Sequence, residues 1–320
     1  MIRVGILGGA EIAHRMFIPA LLKTEGMQCA VIASRQEKRR KQFEEDFEIS
    51  TVSSYEEVIE NSDIDTVYIP LPPALHYKWA KKSLENNKHV FLEKPSTTSY
   101  EETKELIRLA EKRGLVIQEN YMFQYHGQLQ KILELLNSGI VGDIRSYRVS
   151  FGFPLRKNSD FRYKKELGGG ALLDAGGYVT KLATILLGES IFVKAAELNS
   201  MDGYDVDMFG NVLFGNAEGK TVYGSFSMDC YYQCALEVWG NKGKLFTNRI
   251  FTAPPGYVPT VKVETVQGIE EITLQEDDHF KKSIEQFEAA VKDDKVRKAM
   301  AMAMEQQSKL VSDIRRKGHD

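Results

Sequence analysis

The chain has 320 residues and nearly balanced charge, 42 Lys and Arg against 45 Asp and Glu, for a formal net charge of −3. Acidic and basic residues are interspersed, so no basic face offers itself to nucleic acid or an anionic membrane, and no run approaches the roughly 20 apolar residues of a membrane span. Single cores stop growing near about 250–300 residues, so this length predicts two domains, and three cysteines form neither a disulfide framework nor a metal site.

The first residues run directly into a strand pattern without the charged start, long apolar segment and cleavage site of a signal peptide, so a cytoplasmic protein is expected. Ile2–Leu7 reads as a short strand. Gly8, Gly9, Ala10, Glu11 and Ile12 then make the turn into a helix, where backbone N–H groups and the helix N-terminus can face a pyrophosphate. The pattern is imperfect, since Ala10 and Ala13 stand at the fingerprint's second and third glycine positions. Strand and helix then alternate: strand 27–33, helices 37–47 and 55–60, strand 65–70, helix 74–86, strand 89–92, helix 100–113, strand 115–118. Repeated βα units imply a parallel sheet covered on both faces, a Rossmann domain over residues 1–120.

Strand 27–33 ends at Ser34-Arg35, where an NAD-binding fold usually carries an acid for the ribose 2′-hydroxyl. Ser34, Arg35 and Arg39 are instead suited to a 2′-phosphate, which predicts NADP(H). Three prolines stiffen the next connection, so Leu71 and Pro72 are expected to hold the nicotinamide half of the cofactor. His76 is grouped with the cofactor-facing residues, although a core histidine at a helix start is its ordinary reading. The apolar run His89–Leu92 delivers Glu93-Lys94-Pro95 to a strand's carboxyl end, where ligands of open α/β sheets collect. Asn120 and Tyr121, just past the last strand of the domain, are candidates for contact with nicotinamide or substrate.

Beyond residue 120 the periodicity changes. Residues 123–136 read as an amphipathic helix. From Ile144 apolar and polar residues alternate at the period of a half-exposed strand, and the runs near 191–198, 208–214, 222–228, 234–248 and 261–274 are strand-like. Residues 121–320 are therefore expected to be an α+β domain with a large, mostly antiparallel open sheet, whose free face suits a homo-oligomer, dimer or tetramer. Phe161 and Arg162 precede a glycine loop, and Arg162 is a candidate partner for a diphosphate. On the helix that follows, Asp174 and Tyr178 are four apart on one face, an acid and a phenol placed for proton transfer. Residues 276–318 read as charged helices, with Met300, Met302 and Met304 as core filling.

The Gly8–Ala13 turn, Glu93-Lys94-Pro95 and Leu173-Asp174-Ala175-Gly176-Gly177-Tyr178, in that order over essentially the whole chain, resemble the Gfo/Idh/MocA oxidoreductase family. The family commonly has histidine where Tyr178 stands, which turns the resemblance away from the inositol dehydrogenases. Gly8–Ala20 and Asn248–Pro255 are similar to segments of its nucleotide-sugar 3-ketoreductases. The resemblance implies hydride transfer from NADPH to the 3-keto group of a nucleotide-linked deoxyhexose. Tyr178 would be the proton donor, Lys94 its cationic partner, and Asp174 would orient sugar hydroxyls or Lys94. A free-aldose or trans-dihydrodiol dehydrogenase uses the same pair, and an NADP-sensing protein is the reading from a different class.

Overall fold

Continuous apolar runs make strands that are buried on both faces. β1 (Ile2–Leu7), β2 (Met27–Ala33), β3 (Thr51–Val52), β4 (Thr66–Ile69), β5 (His89–Glu93) and β6 (Ile117–Asn120) form one parallel sheet, ordered β3-β2-β1-β4-β5-β6. The computed structural model describes residues 1–318. Helices α1 (Ile18–Leu21), α2 (Glu37–Phe47), α3 (Tyr55–Glu60), α4 (His76–Glu85) and α5 (Tyr100–Arg113) connect the strands. Val67, Ile69, Val90 and Leu92 are fully buried in this sheet. The strand order reverses between β1 and β4, the switch point where such sheets bind ligands. β5 and β6 are in register with Glu93 opposite Asn120, so both side chains leave the sheet at its carboxyl edge.

The chain divides into two compact units, and the division is not the contiguous one expected from the sequence. The first unit holds Met1–Asn120 together with Phe280–Ser308; the second holds Tyr121–His279 and the chain from Lys309. Most of α8 (His279–Lys292) and the first part of α9 (Asp294–Lys317) thus belong with the parallel sheet. The cause is packing: Phe287 is fully buried with its ring centroid 5.1 Å from that of Phe91 on β5, and burying such a side chain contributes about 1.5–3 kcal/mol. Ala301 and Met304, three apart on α9, join a separate buried cluster with Val90 and Leu92 of β5 and Trp79 and Leu84 of α4. Met302 points the other way and is 68% exposed, so the methionine cluster fills the core only in part.

In the second unit β7 (Ile144–Gly152), β8 (Phe192–Asn199), β9 (Phe209–Gly215), β10 (Thr221–Ser227), β11 (Gln233–Gly240), β12 (Gly243–Thr247), β13 (Thr260–Thr265) and β14 (Gly268–Thr273) form one open sheet. Its order is β14-β13-β12-β11-β7-β10-β9-β8. Every neighbouring pair is antiparallel except β7 and β10. The runs 234–248 and 261–274 are each two strands, broken at turns over Asn241-Lys242 and Val266-Gln267. Helix α7 (Gly177–Leu187) packs on β7 and β10. The run Lys165–Leu187 is long and apolar enough to cross a membrane, contrary to the sequence expectation, but it is mostly buried inside the unit. It is apolar all round because its surroundings are apolar all round. The helix expected over 123–136 begins later: Met122–Tyr125 is a 3-10 turn, and α6 (Gly127–Asn137) starts where His126 Nδ1 accepts the Gln128 N–H at 3.1 Å.

Candidate active site

The glycine turn after β1 is built for close approach. Gly8 has φ +114°, which L side chains rarely adopt, and a Cβ there would lie 2.8 Å from Leu71 Cδ2. Gly9 lies against Ser34 and Arg39, so the turn runs beside the end of β2. Ala10 and Ile12 lead into a π-helical turn, Ala13–Phe17, that continues as α1, with Ala10 O accepting from the N–H groups of Ala13 and His14. Glu11 is exposed and lies 3.5 Å from Arg39 Nη1.

Ser34 is buried, and its Oγ accepts the Gln36 N–H at 3.3 Å while its own proton remains to donate. Arg35 lies over the Tyr55 ring at 5.1 Å, and Arg39 Nη1 donates to Gln42 Oε1 at 2.9 Å. A hydroxyl and two guanidiniums, with no acid at the end of β2, fit a phosphate on a ribose better than a free hydroxyl. Pro72 is extended before the 3-10 turn Pro73–Leu75. His76 opens α4. It is fully buried, with Nδ1 2.8 Å from Pro95 O and Nε2 2.7 Å from Leu71 O. Burial lowers its pKa, against the carbonyls that face its ring, and the two ring nitrogens tie the Leu71 loop to the cis Lys94-Pro95 turn.

Glu93 is the centre of a hydrogen-bonded chain that the sequence does not announce. Its Oε1 accepts from Tyr68 OH and from Asn120 Nδ2, both at 2.8 Å. Asn120 Oδ1 accepts from Ser283 Oγ at 2.8 Å, and Ser283 Oγ accepts from Gln118 Nε2 at 2.8 Å. This fixes the Asn120 amide with its NH2 toward Glu93. Asn120 is fully buried with both ends of the amide engaged, and it orients Glu93, next to Lys94. Burial raises the Glu93 pKa, against lowering by Asn120, Tyr68 and Lys94.

In the second unit Tyr178 is 7% exposed within an aromatic box. Its ring centroid lies 5.2 Å from that of Tyr121, 5.9 Å from Phe123, 5.1 Å from Phe151 and 5.6 Å from Phe251. Its hydroxyl is 3.7 Å from Met122 Sδ. Tyr121 is almost wholly buried and supports Tyr178 edge-on. A Cβ at Gly177 would come within 2.0 Å of the Tyr121 hydroxyl, which requires glycine just before Tyr178. Asp174 sits in a π-helical turn, Leu172–Gly176, a feature frequent at functional sites. Its Oδ2 accepts from Arg162 Nε at 2.8 Å, and Arg162 Nη1 is 3.1 Å from Asp160 Oδ1. Burial works to lower the Arg162 pKa, but the two carboxylates raise it well above the ordinary value. Phe161 lies under the same guanidinium at 4.6 Å. Arg162 is thus the cation of a triplet with one net negative charge, which disfavours the diphosphate contact expected of it.

A family model described as "Oxidoreductase family, NAD-binding Rossmann fold" matches residues 2–121, and the GFO/IDH/MocA C-terminal domain model matches residues 129–246. The chain is 39% identical over 290 residues to dTDP-3,4-didehydro-2,6-dideoxy-alpha-D-glucose 3-reductase of Actinomadura kijaniata, covering 91% of this chain and 87% of that one. It is 31% identical over 292 residues to D-xylose 1-dehydrogenase (NADP(+)) 2 of Haloferax volcanii, covering 90% and 88%. The solved structure of KijD10, a 3-ketoreductase from Actinomadura kijaniata in complex with NADP and TDP-benzene, superposes with a TM-score of 0.95 at 37% identity, over 99% of this chain and 97% of that one. Solved variants of KijD10 replace one tyrosine by phenylalanine and one lysine by alanine, at positions as far apart in sequence as Lys94 and Tyr178.

The Glu93 chain predicts a pH dependence of stability. A carboxyl whose folded pKa is raised above its ordinary 4.5 contributes stability that is complete below the unfolded value and is lost as pH rises through the folded value. Glu93→Gln removes that titration. The stability of the wild type relative to Glu93→Gln, from urea midpoints, should therefore fall as pH rises above the ordinary 4.5; a constant difference would contradict the raised pKa.

Proposed function

The chain belongs to the Gfo/Idh/MocA family of oxidoreductases, and on that footing we propose that it is an NADP(H)-dependent reductase of the 3-keto group of a nucleotide-linked deoxyhexose. The end-to-end match in sequence and fold to a reductase of that class carries the reading. Gly8 to Ile12 take the pyrophosphate at the helix start, Ser34, Arg35 and Arg39 the 2′-phosphate, and the loop at Leu71 and Pro72 the nicotinamide half. NADPH supplies the hydride.

As the ketone oxygen gains charge, Tyr178 donates its phenolic proton to the forming alkoxide and is left as phenolate. A free phenol has a pKa of about 10, so the step needs a cation that favours the phenolate. Lys94 is assigned that role. Glu93 balances and orients Lys94 from the adjacent position, with Asn120 and Ser283 holding Glu93. Asp174, held by Arg162, presents an acceptor to sugar hydroxyls, and Phe161 fixes Arg162.

A second reading, a free-aldose dehydrogenase, draws on the 31% identity to the xylose dehydrogenase. NADP(H) absorbance separates the two. Turnover of dTDP-linked 3-ketohexoses, with none of xylose, glucose or simple diols, is expected; turnover of the free sugars alone would overturn the reading. In the same assay Tyr178→Phe should lose about 10²–10⁴-fold in kcat while NADPH binding is kept, and an unchanged kcat would remove Tyr178 from the proton transfer.

The partner surface assigned is a second copy of this chain on the open sheet. Tyr223 (52% exposed), Trp239 (58%) and Phe246 (39%) stand on β10, β11 and β12 among residues that alternate inward. Light scattering should find a dimer or tetramer that Trp239→Lys weakens; a wild type that is monomeric at micromolar concentration would refute this.

A further inference from the structure

We propose that Arg249, held between Tyr232 and Tyr257, is the cationic subsite for the diphosphate of the substrate. The proposal deepens the function proposed above and rests on it. A nucleotide-linked sugar brings a diphosphate that must meet positive charge close to the reacting sugar. Arg162, beside Asp174, is already neutralised by two carboxylates. Arg249 is not. It has no carboxylate within ion-pair distance among the described residues, and only its Nε is engaged, donating to Thr252 O at 3.1 Å. Both terminal amino groups of the guanidinium are left to donate.

The surroundings fix this guanidinium in advance. It lies 5.7 Å from the Tyr232 ring centroid and 5.3 Å from that of Tyr257, stacking contacts that hold the plane without spending its N–H groups. Tyr232 OH and Thr252 Oγ1 are hydrogen-bonded at 2.7 Å, which joins the loop before β11 to the loop after β12. The second loop is pinned from beneath: Ile250 N donates to Cys234 O at 3.0 Å, and Gln128 Nε2 donates to Arg249 O at 3.2 Å.

The position is also right for a substrate reacting at Tyr178. Phe251, two residues after Arg249, is fully buried, and its ring forms a wall of the box around Tyr178 at 5.6 Å. One short loop therefore contributes both a wall of the reaction site and a guanidinium with no acid partner. A planar guanidinium can hold two phosphate oxygens side by side, which an ammonium at the same place cannot.

The test is titration calorimetry of TDP into the full chain saturated with NADPH, at several salt concentrations. Arg249→Ala should weaken TDP about tenfold to a hundredfold and flatten the salt dependence of its binding, with NADPH affinity unchanged. Arg249→Gln, which keeps a donor toward Thr252, should lose TDP affinity to a similar extent. Arg249→Lys should recover the salt dependence but only part of the affinity. Wild-type TDP affinity and salt dependence in Arg249→Gln would overturn the subsite while leaving the nucleotide-sugar reading in place. A wild-type chain that does not bind TDP would overturn both.

Discussion

One carboxylate oxygen organises the cofactor half of this protein. Oε1 of Glu93 accepts from Tyr68 on β4 and Asn120 on β6, so the three strand ends nearest Lys94 are joined through one atom. A buried acceptor of that kind costs stability unless its donors are fixed. Ser283 supplies the fixing, because a hydroxyl that accepts from Gln118 and donates to Asn120 leaves the amide only one orientation. The position of Lys94 thus depends on residues of β4, β6 and α8 as much as on its own strand.

The second unit divides its charges differently. Arg162 is spent on Asp160 and Asp174, and what that cluster offers a ligand is an oriented carboxylate. Tyr178 sits among rings and a thioether, a setting that fixes the ring and keeps it dry.

The parallel sheet is legible in the sequence because strands buried on both faces must be continuous apolar runs, and because glycine and proline punctuate the turns between them. The β2 end is legible for a chemical reason: the acid of an NAD site is absent and arginines stand in its place. The helix carrying Asp174 and Tyr178 is equally open, since a glycine loop feeding an apolar run has few other readings. What is hidden depends on distance along the chain. Ser283 lies 163 residues from Asn120, and its one trace is a serine inside the apolar stripe Phe280, Ile284 and Phe287. Likewise, Asp160 stands two residues from Arg162 in the sequence, but Asp174, which takes its Nε, is twelve residues away across the glycine loop.

The return of α8 to the first unit has a consequence for synthesis on the ribosome. When residues 1–120 have emerged, the parallel sheet can form, but Phe91 has no Phe287 above it and Asn120 has no Ser283 to set its amide. The nascent sheet must wait, with that apolar surface uncovered, while the whole of the second unit is translated. The lysine turn therefore acquires its final support only after residues 121–279 have been made and α8 arrives.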